Sequence, residues 1–120
     1  FYAVLLHDVM IGYICFHEDN GKYDLGYCFH SDYQGKGYAF EAAQAFFDYL
    51  FSQKGARRIY AYTEDYNLSS QHLCEKLGMR REGLFLEFIS FVNNPDGTPR
   101  YENTVQYAIL KKEWDRQQSQ

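Results

Sequence analysis

A short loop with two glycines, lying between a strand-like run and a helix-like run, constrains the fold of this chain most. The segment Gln34-Gly35-Lys36-Gly37-Tyr38-Ala39 stands at that junction. The first turn of a helix has N–H groups without intrahelical partners, and the helix dipole adds partial positive charge at the same end. Glycine lets an anion approach the backbone closely, and Lys36 adds a positive point charge. The loop therefore predicts a phosphate-binding helix start.

Two better-known phosphate loops do not fit these residues. A dinucleotide-binding loop would carry a third glycine where Phe40 stands, and a Walker A loop would carry Ser or Thr where Gly37 stands. The residues alone leave two interpretations open. One is a different kind of phosphate loop, and the other is an ordinary glycine-containing connection between a strand and a helix.

The apolar pattern before the loop predicts an antiparallel meander of three strands. The Asn20-Gly21 pair between the last two runs is a strong hairpin signal. After the loop the spacing of apolar residues becomes helical from Tyr38 to Gln53, and Gly55 is a plausible C-terminal cap. The three strand-like runs, rich in aromatic and aliphatic side chains, are residues 1–7, 11–17 and 23–30.

The second half of the chain predicts three further strands and a second helix. Residues 58–63 alternate as a strand, and Asn67 is a typical N-cap for a helix that runs through Leu77 and stops at Gly78. Two last strands, joined by a turn rich in Asn, Pro, Asp and Gly, predict a closing hairpin. These strands are residues 85–92 and 104–110.

Composition indicates one globular domain over residues 1–114, followed by a polar tail over 115–120 that we expect to fray. Hydrophobic residues make up 46% of the 120-residue chain and aromatic residues 19%, which is typical of a chain that builds a core. The net charge of −4 argues against a broad surface for nucleic acid. No apolar run reaches the length that spans a bilayer, so no membrane association is expected.

Cysteine usage indicates a reducing compartment. Cys15, Cys28 and Cys74 are odd in number and lie in apolar runs, so we expect small core residues of a cytoplasmic protein. No paired metal-ligand spacing such as Cys-x-x-Cys occurs, and no metal is expected. Cys74 and His72 are not expected to form a nucleophilic pair, because residues two apart on a helix do not face each other.

Two correctly spaced motifs resemble those of the GNAT superfamily of acetyl-CoA-dependent N-acetyltransferases. Gln34, Gly37 and Ala39 match its loop signature of Gln or Arg, two residues, Gly, one residue, then Gly or Ala. Asn67 and Ser70 match the Asn-x-x-Ser helix of the branch like the ribosomal-protein acetyltransferases RimJ and RimL. Further matches to this branch are Glu41-Ala42, Leu73, Glu75-Lys76-Leu77-Gly78-Met79, Arg81-Glu82-Gly83, Tyr107-Ala108-Ile109-Leu110 and Glu113-Trp114.

The resemblance covers nearly the whole chain and implies an α/β fold of the α+β type, with two main helices and a mixed, mostly antiparallel twisted sheet. A cofactor slot would split that sheet between the strand before the loop and the strand after the first helix. Acetyl-CoA would lie there as co-substrate. In this arrangement the loop amides of Gln34 to Ala39 would hold the pyrophosphate.

The resemblance also implies how the pantetheine arm of acetyl-CoA would be held. The backbone of Cys28, Phe29 and His30 would pair with the arm like an added strand, and Asn67 would reach it by its amide. Asn67 has a second interpretation as the N-cap of the second helix, and the two roles are compatible.

The reaction that the resemblance implies is direct attack of a neutral amine on the thioester carbonyl. One or two backbone N–H groups near Phe29 and His30 would stabilise the tetrahedral oxyanion. Ser70 is the candidate that hydrogen-bonds or protonates the departing thiolate, because Cys74 stands where many superfamily members have Tyr. A merely packed Ser70 hydroxyl is the alternative.

The base that removes a proton from the amine has several candidates. Glu87 lies on the strand after the second motif, near where related enzymes place a carboxylate, although the closest motif alignment puts Ile89 at that place. Tyr62, Glu64 and Asp65, at the end of the strand beside the slot, compete with Glu87. A solvated acidic edge is the alternative for all of these residues.

The acceptor is expected to be a primary amine, either a protein N-terminus or a small molecule. Full family members begin with a strand and two helices before the region equivalent to Phe1, so we expect an N-terminally incomplete domain with an uncovered apolar sheet face. Such a face would favour another segment or a homodimer. Two alternatives to an enzyme stay open, a catalytically silent acyl-CoA-binding module and a β-rich interaction fragment without a ligand.

Overall fold

A six-stranded sheet with three helices forms the part of the chain that the structure describes. The structure, a computed structural model, describes residues 2–6, 9–29 and 37–118. The strand order is β1-β2-β3-β4-β6-β5, and every neighbouring pair is antiparallel apart from the parallel pair of β3 and β4. The predicted mixed, mostly antiparallel sheet is confirmed. In chain order the elements are β1 (Tyr2–Leu6), β2 (Val9–Asp19), β3 (Lys22–Phe29), α1 (Tyr38–Gln53), β4 (Arg58–Glu64), α2 (Leu68–Lys76), β5 (Arg80–Asn93), β6 (Pro99–Leu110) and α3 (Lys111–Gln118).

The turn between β2 and β3 is the tight hairpin that the Asn-Gly pair predicts. Asn20 and Gly21 have φ angles of 53° and 81°, the left-handed values that a type I′ turn needs. Asp19 and Lys22 form the closing pair of the ladder, and the N–H of Gly21 donates to Glu18 Oε1 at 3.1 Å. The turn therefore fixes the register of the two strands.

The core contains the apolar stripe of α1, the middle of the sheet and one residue of α3. Phe47 and Leu50 are fully buried, as are Ile59 on β4 and Ile109 on β6, which pair across the sheet. The ring of Trp114 lies 5.6 Å from that of Phe47, between centroids. The helical spacing over 38–53 thus predicts α1 with its bounds, because each turn has an apolar residue to bury.

The C-terminal segment adds a short third helix to the two main helices that the sequence predicts, and it corrects one prediction. Residues 115–118, predicted to fray, form the end of α3. Trp114 is buried in the core and anchors the helix there. Lys111 Nζ and Asp115 Oδ2 pair at 2.9 Å across one turn. The polar composition of residues 115–118 did not indicate this helix, because a short surface helix needs only one buried side chain to dock.

The predicted closing hairpin is confirmed, and its strands are longer than the apolar runs suggested. β5 pairs with β6 antiparallel, and the register shifts at three places along β5. At the turn, Asn94 N–H donates to the carbonyl of Thr98 at 2.7 Å, and Asp96 Oδ1 accepts from the Thr98 N–H at 3.0 Å. Large apolar side chains of β5 lie exposed, among them Leu86 and Phe91.

The parallel contact between β3 and β4 is short. The two strands pair only at Lys22 with Arg58, Tyr23 with Ile59 and Asp24 with Tyr60. Beyond Asp24 they diverge, so the sheet opens at the junction that the family resemblance implies. Among the described helices, none is both long and apolar enough to cross a bilayer.

An ion-pair network ties the start of β4 to β5 and α3. The Arg58 guanidinium forks onto both carboxylate oxygens of Glu82, with Nη1 donating to Oε2 at 2.9 Å. Arg80 donates to the same Oε2 at 2.9 Å and also pairs with Glu113. The hydrogen bond from Arg58 lowers the pKa of Glu82 from its ordinary value of 4.5.

Glu82→Gln should therefore destabilise the fold in a pH-dependent way. A carboxylate whose pKa is lowered on folding contributes stability above its ordinary value of 4.5. That contribution is lost as the pH falls through the lowered pKa of the folded state. We expect a loss of about 1 kcal/mol in the free energy of unfolding at neutral pH, shrinking towards zero in acid. Urea titrations from pH 7 downwards measure it.

Asp115→Asn is the matched control, since its pair with Lys111 has side chains that are about half exposed. We expect a smaller change from this variant at every pH. A Glu82→Gln deficit that persists unchanged at low pH would show that shape, not charge, holds the network.

Candidate functional site

The divergence of β3 and β4 opens a cleft of about 760 Å³. Its walls come from both strands, from the start of α1 and from α2 along its length, so four elements meet around one space. The lining residues include Gly26, Gly37, Phe40, Tyr62, Glu64, Asn67, Ser70 and Lys76.

One wall of the cleft is the free main-chain edge of β3. From Leu25 to Phe29 the strand pairs with β2 on one side, and no strand pairs with its other side within the described residues. Backbone N–H and C=O groups without a partner form a template for another extended chain. Cys28 and Phe29 belong to this edge, as the pantetheine hypothesis requires, whereas His30 lies outside the described residues.

The start of α1 forms the second wall. Gly37 has a φ of 85°, and its carbonyl accepts from the Glu41 N–H at 3.0 Å as the helix begins. A side chain disfavours this left-handed conformation, which explains the glycine. A Cβ placed on Gly37 would meet no atom of the described residues within 4 Å, so these residues leave the space in front of it open. Tyr38 opens the helix, and Ala39 lines the cleft.

Three residues of the predicted phosphate loop do not belong to the described part of the chain. Gln34, Gly35 and Lys36 lie outside the described residues. Their assignment to a phosphate site stays a prediction, which the open helix start at Gly37 supports.

The start of α2 forms the third wall and uses Asn67 as its cap. Asn67 Oδ1 accepts from the Ser70 N–H at 3.1 Å and from Ser69 Oγ at 3.2 Å. The capping interpretation is confirmed, and the contact with a ligand stays a prediction. Ser70 lies one turn into the helix, half-buried, on the cleft wall.

The structure separates the candidate bases. Tyr62 and Glu64, at the end of β4, line the cleft. Asp65 lies in the turn that follows, where its carboxylate accepts from Asn103 Nδ2 at 3.1 Å. Glu87 sits in an irregularity of β5 with a φ of 49° and is not among the residues that line the cleft. Of the two proposed catalytic residues, Ser70 therefore lines the cleft and Glu87 does not.

Sequence reasoning missed Lys76, a cation of the cleft. Its Nζ lies 4.3 Å above the ring centroid of Phe40, and both residues line the cleft beside the helix start of α1. The negative face of an aromatic ring attracts an ammonium group, and the N–H groups of that ammonium can still bind an anion. The contact joins two helices distant in sequence, so spacing within either helix could not reveal it.

Burial makes Cys74 inert as a nucleophile. The thiol is 3% exposed, and burial raises its pKa to about 12. A thiolate is the reactive species, and at neutral pH almost none forms at that pKa. Among the described residues, no group of three or more His, Cys, Asp or Glu side chains has the geometry to hold a metal ion.

Comparison with known proteins connects this cleft to a family. Residues 1–80 match the model of the acetyltransferase (GNAT) domain. The chain belongs to the GNAT acetyltransferase family. It is 40% identical over 110 residues, 90% of the chain, to the uncharacterized N-acetyltransferase YnaD of Bacillus subtilis (strain 168). That match spans 61% of YnaD, so the chain corresponds to about three-fifths of this curated relative.

Solved structures agree with the fold. The crystal structure of a GNAT-family acetyltransferase from Bacillus anthracis superposes with a TM-score of 0.78 at 37% identity, over 92% of this chain and 64% of that one. A chimera of the spermidine N-acetyltransferase SpeG from Vibrio cholerae and hSSAT superposes with a TM-score of 0.80 at 25% identity, over 90% of this chain and 63% of that one. The resemblance to the GNAT family is thereby confirmed.

The cap interaction predicts a difference between two variants of Asn67. Asn67→Ala should lower the free energy of unfolding by about 1 kcal/mol, because the N–H of Ser70 loses its acceptor. Asn67→Asp keeps an oxygen at that place and adds negative charge at the positive end of the helix dipole, so its stability should equal or exceed wild type. Urea denaturation measures both. Equal losses in the two variants would contradict the cap.

Proposed function

We propose that this chain is the cofactor-binding part of an acetyl-CoA-dependent N-acetyltransferase, which moves an acetyl group to a primary amine. The cleft carries the proposal, because a free main-chain edge on β3 runs alongside a left-handed, unobstructed helix start at Gly37. An extended arm with a phosphate group needs both features together.

Acetyl-CoA supplies the activated acetyl thioester for the reaction. In the cleft, the amides of Gly37, Tyr38 and Ala39 would hold the pyrophosphate, and the backbone of Cys28 and Phe29 would pair with the arm. Gln34, Gly35, Lys36 and His30 complete this site in the proposal. Asn67 would use its Nδ2 for the arm while Oδ1 caps α2.

Lys76 adds positive charge to the cleft beside the helix start. Its head lies over Phe40, on a helix that packs next to α1. In the proposal it helps neutralise the phosphates, a task that the sequence motif assigned to the loop alone.

Ser70 and a carboxylate would handle the protons. The attacking amine must be neutral, so a base or a water chain takes its proton. Glu64 is the carboxylate that lines the cleft, and we place it before Glu87 and Asp65 as the base. Ser70, on the facing wall, would donate a hydrogen bond to the departing thiolate. Cys74 takes no covalent part, because its pKa is raised to about 12.

The finer assignment rests on sequence motifs and relatives. The Asn67-x-x-Ser70 helix favours the RimJ/RimL-like branch, and the match to a spermidine N-acetyltransferase makes a polyamine one acceptor to test. The exposed apolar residues of β5 favour an interface with another chain or segment. A homodimer is one arrangement that would cover them. We also infer a cytoplasmic site of action from the odd number of cysteines and their place in apolar runs of the sequence.

A catalytically silent acyl-CoA-binding module is the second candidate. The observation that favours it is that Glu87 does not line the cleft with Ser70, so that Glu64 supplies the carboxylate among the described lining residues. The two candidates share the cofactor site and differ only in turnover.

Release of free CoA thiol from acetyl-CoA tests the proposal. The acceptor panel contains spermidine, a peptide with an N-terminal alanine and free lysine. We expect at least one amine to accelerate thiol release by wild-type protein. Glu64→Gln should reduce that rate roughly a hundredfold, within the range typical of a general base, and Ser70→Ala roughly tenfold.

Glu87→Gln is the comparison variant, since Glu87 does not line the cleft. A larger loss in Glu87→Gln than in Glu64→Gln would reverse the assignment of the base. Binding of acetyl-CoA without thiol release for any amine would favour the silent module.

A further inference from the structure

The side chain of Asn103 joins two parts of the molecule that sequence reasoning treats separately. Its Nδ2 donates to Asp65 Oδ2 at 3.1 Å, and its Oδ1 accepts from the Glu87 N–H at 2.9 Å. Its backbone carbonyl also accepts from the Asp65 N–H at 3.1 Å. One residue of β6 thus holds the turn after β4 and the irregular segment of β5.

The turn that Asn103 holds connects two residues that line the cleft, Glu64 and Asn67. It follows Glu64, whose carbonyl accepts from the Asn67 N–H at 3.1 Å and from Gln71 Nε2 at 3.2 Å. Gln71 Nε2 also donates to the carbonyl of Asp65 at 2.9 Å. The turn is therefore fixed to α2 on one side and to Asn103 on the other.

The segment of β5 that Asn103 holds is strained. Glu87 has a φ of 49°, which a residue with a Cβ rarely adopts, and the pairing with β6 is interrupted between Phe85 and Ile89. Such a conformation persists only where surrounding contacts determine it. The hydrogen bond from the Glu87 N–H to Asn103 is one of these contacts.

The strained segment packs on the cleft wall. The rings of Phe85 and Phe88 lie 6.4 Å and 5.7 Å from that of Tyr62, between centroids, and 5.1 Å from each other. Tyr62 lines the cleft. A shift of the segment would therefore move an aromatic wall of the cleft as well as the backbone at Glu87.

We propose that Asn103 is a positioning residue, whose amide bridges Asp65 and the Glu87 backbone and so sets the distance between the end of β4 and the aromatic group of Tyr62, Phe85 and Phe88. This inference rests on the proposed transferase function, in which Glu64, at the end of β4, takes the proton of the attacking amine. The free edge of β3 and the helix start at Gly37, which hold acetyl-CoA in the proposal, lie outside the bridge.

The direction of the bridging hydrogen bond provides the test. Asn103→Asp keeps an acceptor for the Glu87 N–H but places a carboxylate against that of Asp65. Adding Asp65→Asn to the same chain returns a donor to the pair, with the direction of the hydrogen bond reversed. Ser90→Ala is the matched control, because its Oγ donates to the Val92 carbonyl at 3.0 Å at another irregularity of β5.

Steady-state kinetics with the best amine of the panel give the first readout. Asn103→Asp should lower kcat/KM for the amine roughly tenfold, because misplaced groups at the reacting centre reduce rate strongly. The KM for acetyl-CoA should stay within about twofold, since the edge of β3 and the helix start at Gly37 lie outside the bridge. The double variant should recover most of the loss, and Ser90→Ala should match wild type.

A purely structural bridge would give a different pattern. The melting temperature would fall in Asn103→Asp and recover in the double variant, while both KM values and kcat stayed at wild-type levels below the transition. That result would overturn the inference, and so would a loss that Ser90→Ala reproduces.

Nuclear magnetic resonance gives a readout that needs no turnover. Asn103→Asp should shift the ring protons of Tyr62, because repulsion between the two carboxylates displaces the bridge, and the double variant should reverse the shift. Unchanged Tyr62 signals would overturn the inference even if no amine were acetylated. Failure of wild-type turnover with every amine would count against the proposed function alone.

Discussion

The parting of β3 and β4 after three residue pairs is the constraint on which the rest of the structure depends. Parallel strands of a sheet normally continue side by side, since each unpaired N–H and C=O group that is buried costs free energy. Here the pairing stops at Asp24, and β3 continues to Phe29 with one free edge. The cleft, its main-chain wall and the placement of both helix starts follow from this divergence.

The molecule compensates for the open junction on both sides of it. At the closed end, the ion-pair network of Arg58, Glu82 and Arg80 ties β4 to β5, and the buried pair of Ile59 and Ile109 continues the core. At the open end, hydrogen bonds replace the missing ladder. Gln71 and Asn103 hold the turn after β4 with their side-chain amides, and Asn67 holds it with its backbone N–H.

Much of the fold could be predicted because its signals are local. The spacing of apolar residues from 38 to 53 marks α1, the Asn20-Gly21 pair marks a hairpin, and Asn67 marks the start of α2. Each signal acts within a few residues, through a buried stripe, a left-handed turn or a cap. The frayed tail was a wrong prediction for 115–118 because the docking of Trp114 depends on Phe47 and Phe51, which are distant in the chain.

The residues of the candidate site also divide into those with a local sequence signal and those without one. Gly37, Asn67 and Ser70 could be found from motifs, since their spacing follows from one loop and one helix turn. Lys76 over Phe40 and the bridge of Asn103 could not, because each depends on contacts between elements. The position of Glu87 also lay beyond sequence reasoning, since irregular pairing along β5 decides which groups meet the cleft.

The central claim is that the open helix start at Gly37 is a binding site and not an ordinary connection. Calorimetric titration of acetyl-CoA into wild type, Gly37→Val and Gly55→Val tests it most directly. Both glycines have left-handed φ angles, 85° and 71°, and a Cβ at either would meet no atom of the described residues within 4 Å. The two variants therefore carry similar backbone strain at opposite ends of α1.

The account predicts that wild type and Gly55→Val bind acetyl-CoA alike, while Gly37→Val, although folded, binds at least roughly tenfold more weakly, because its side chain fills the space for the ligand. Wild-type affinity in Gly37→Val, or equal losses in the two variants, would contradict the claim.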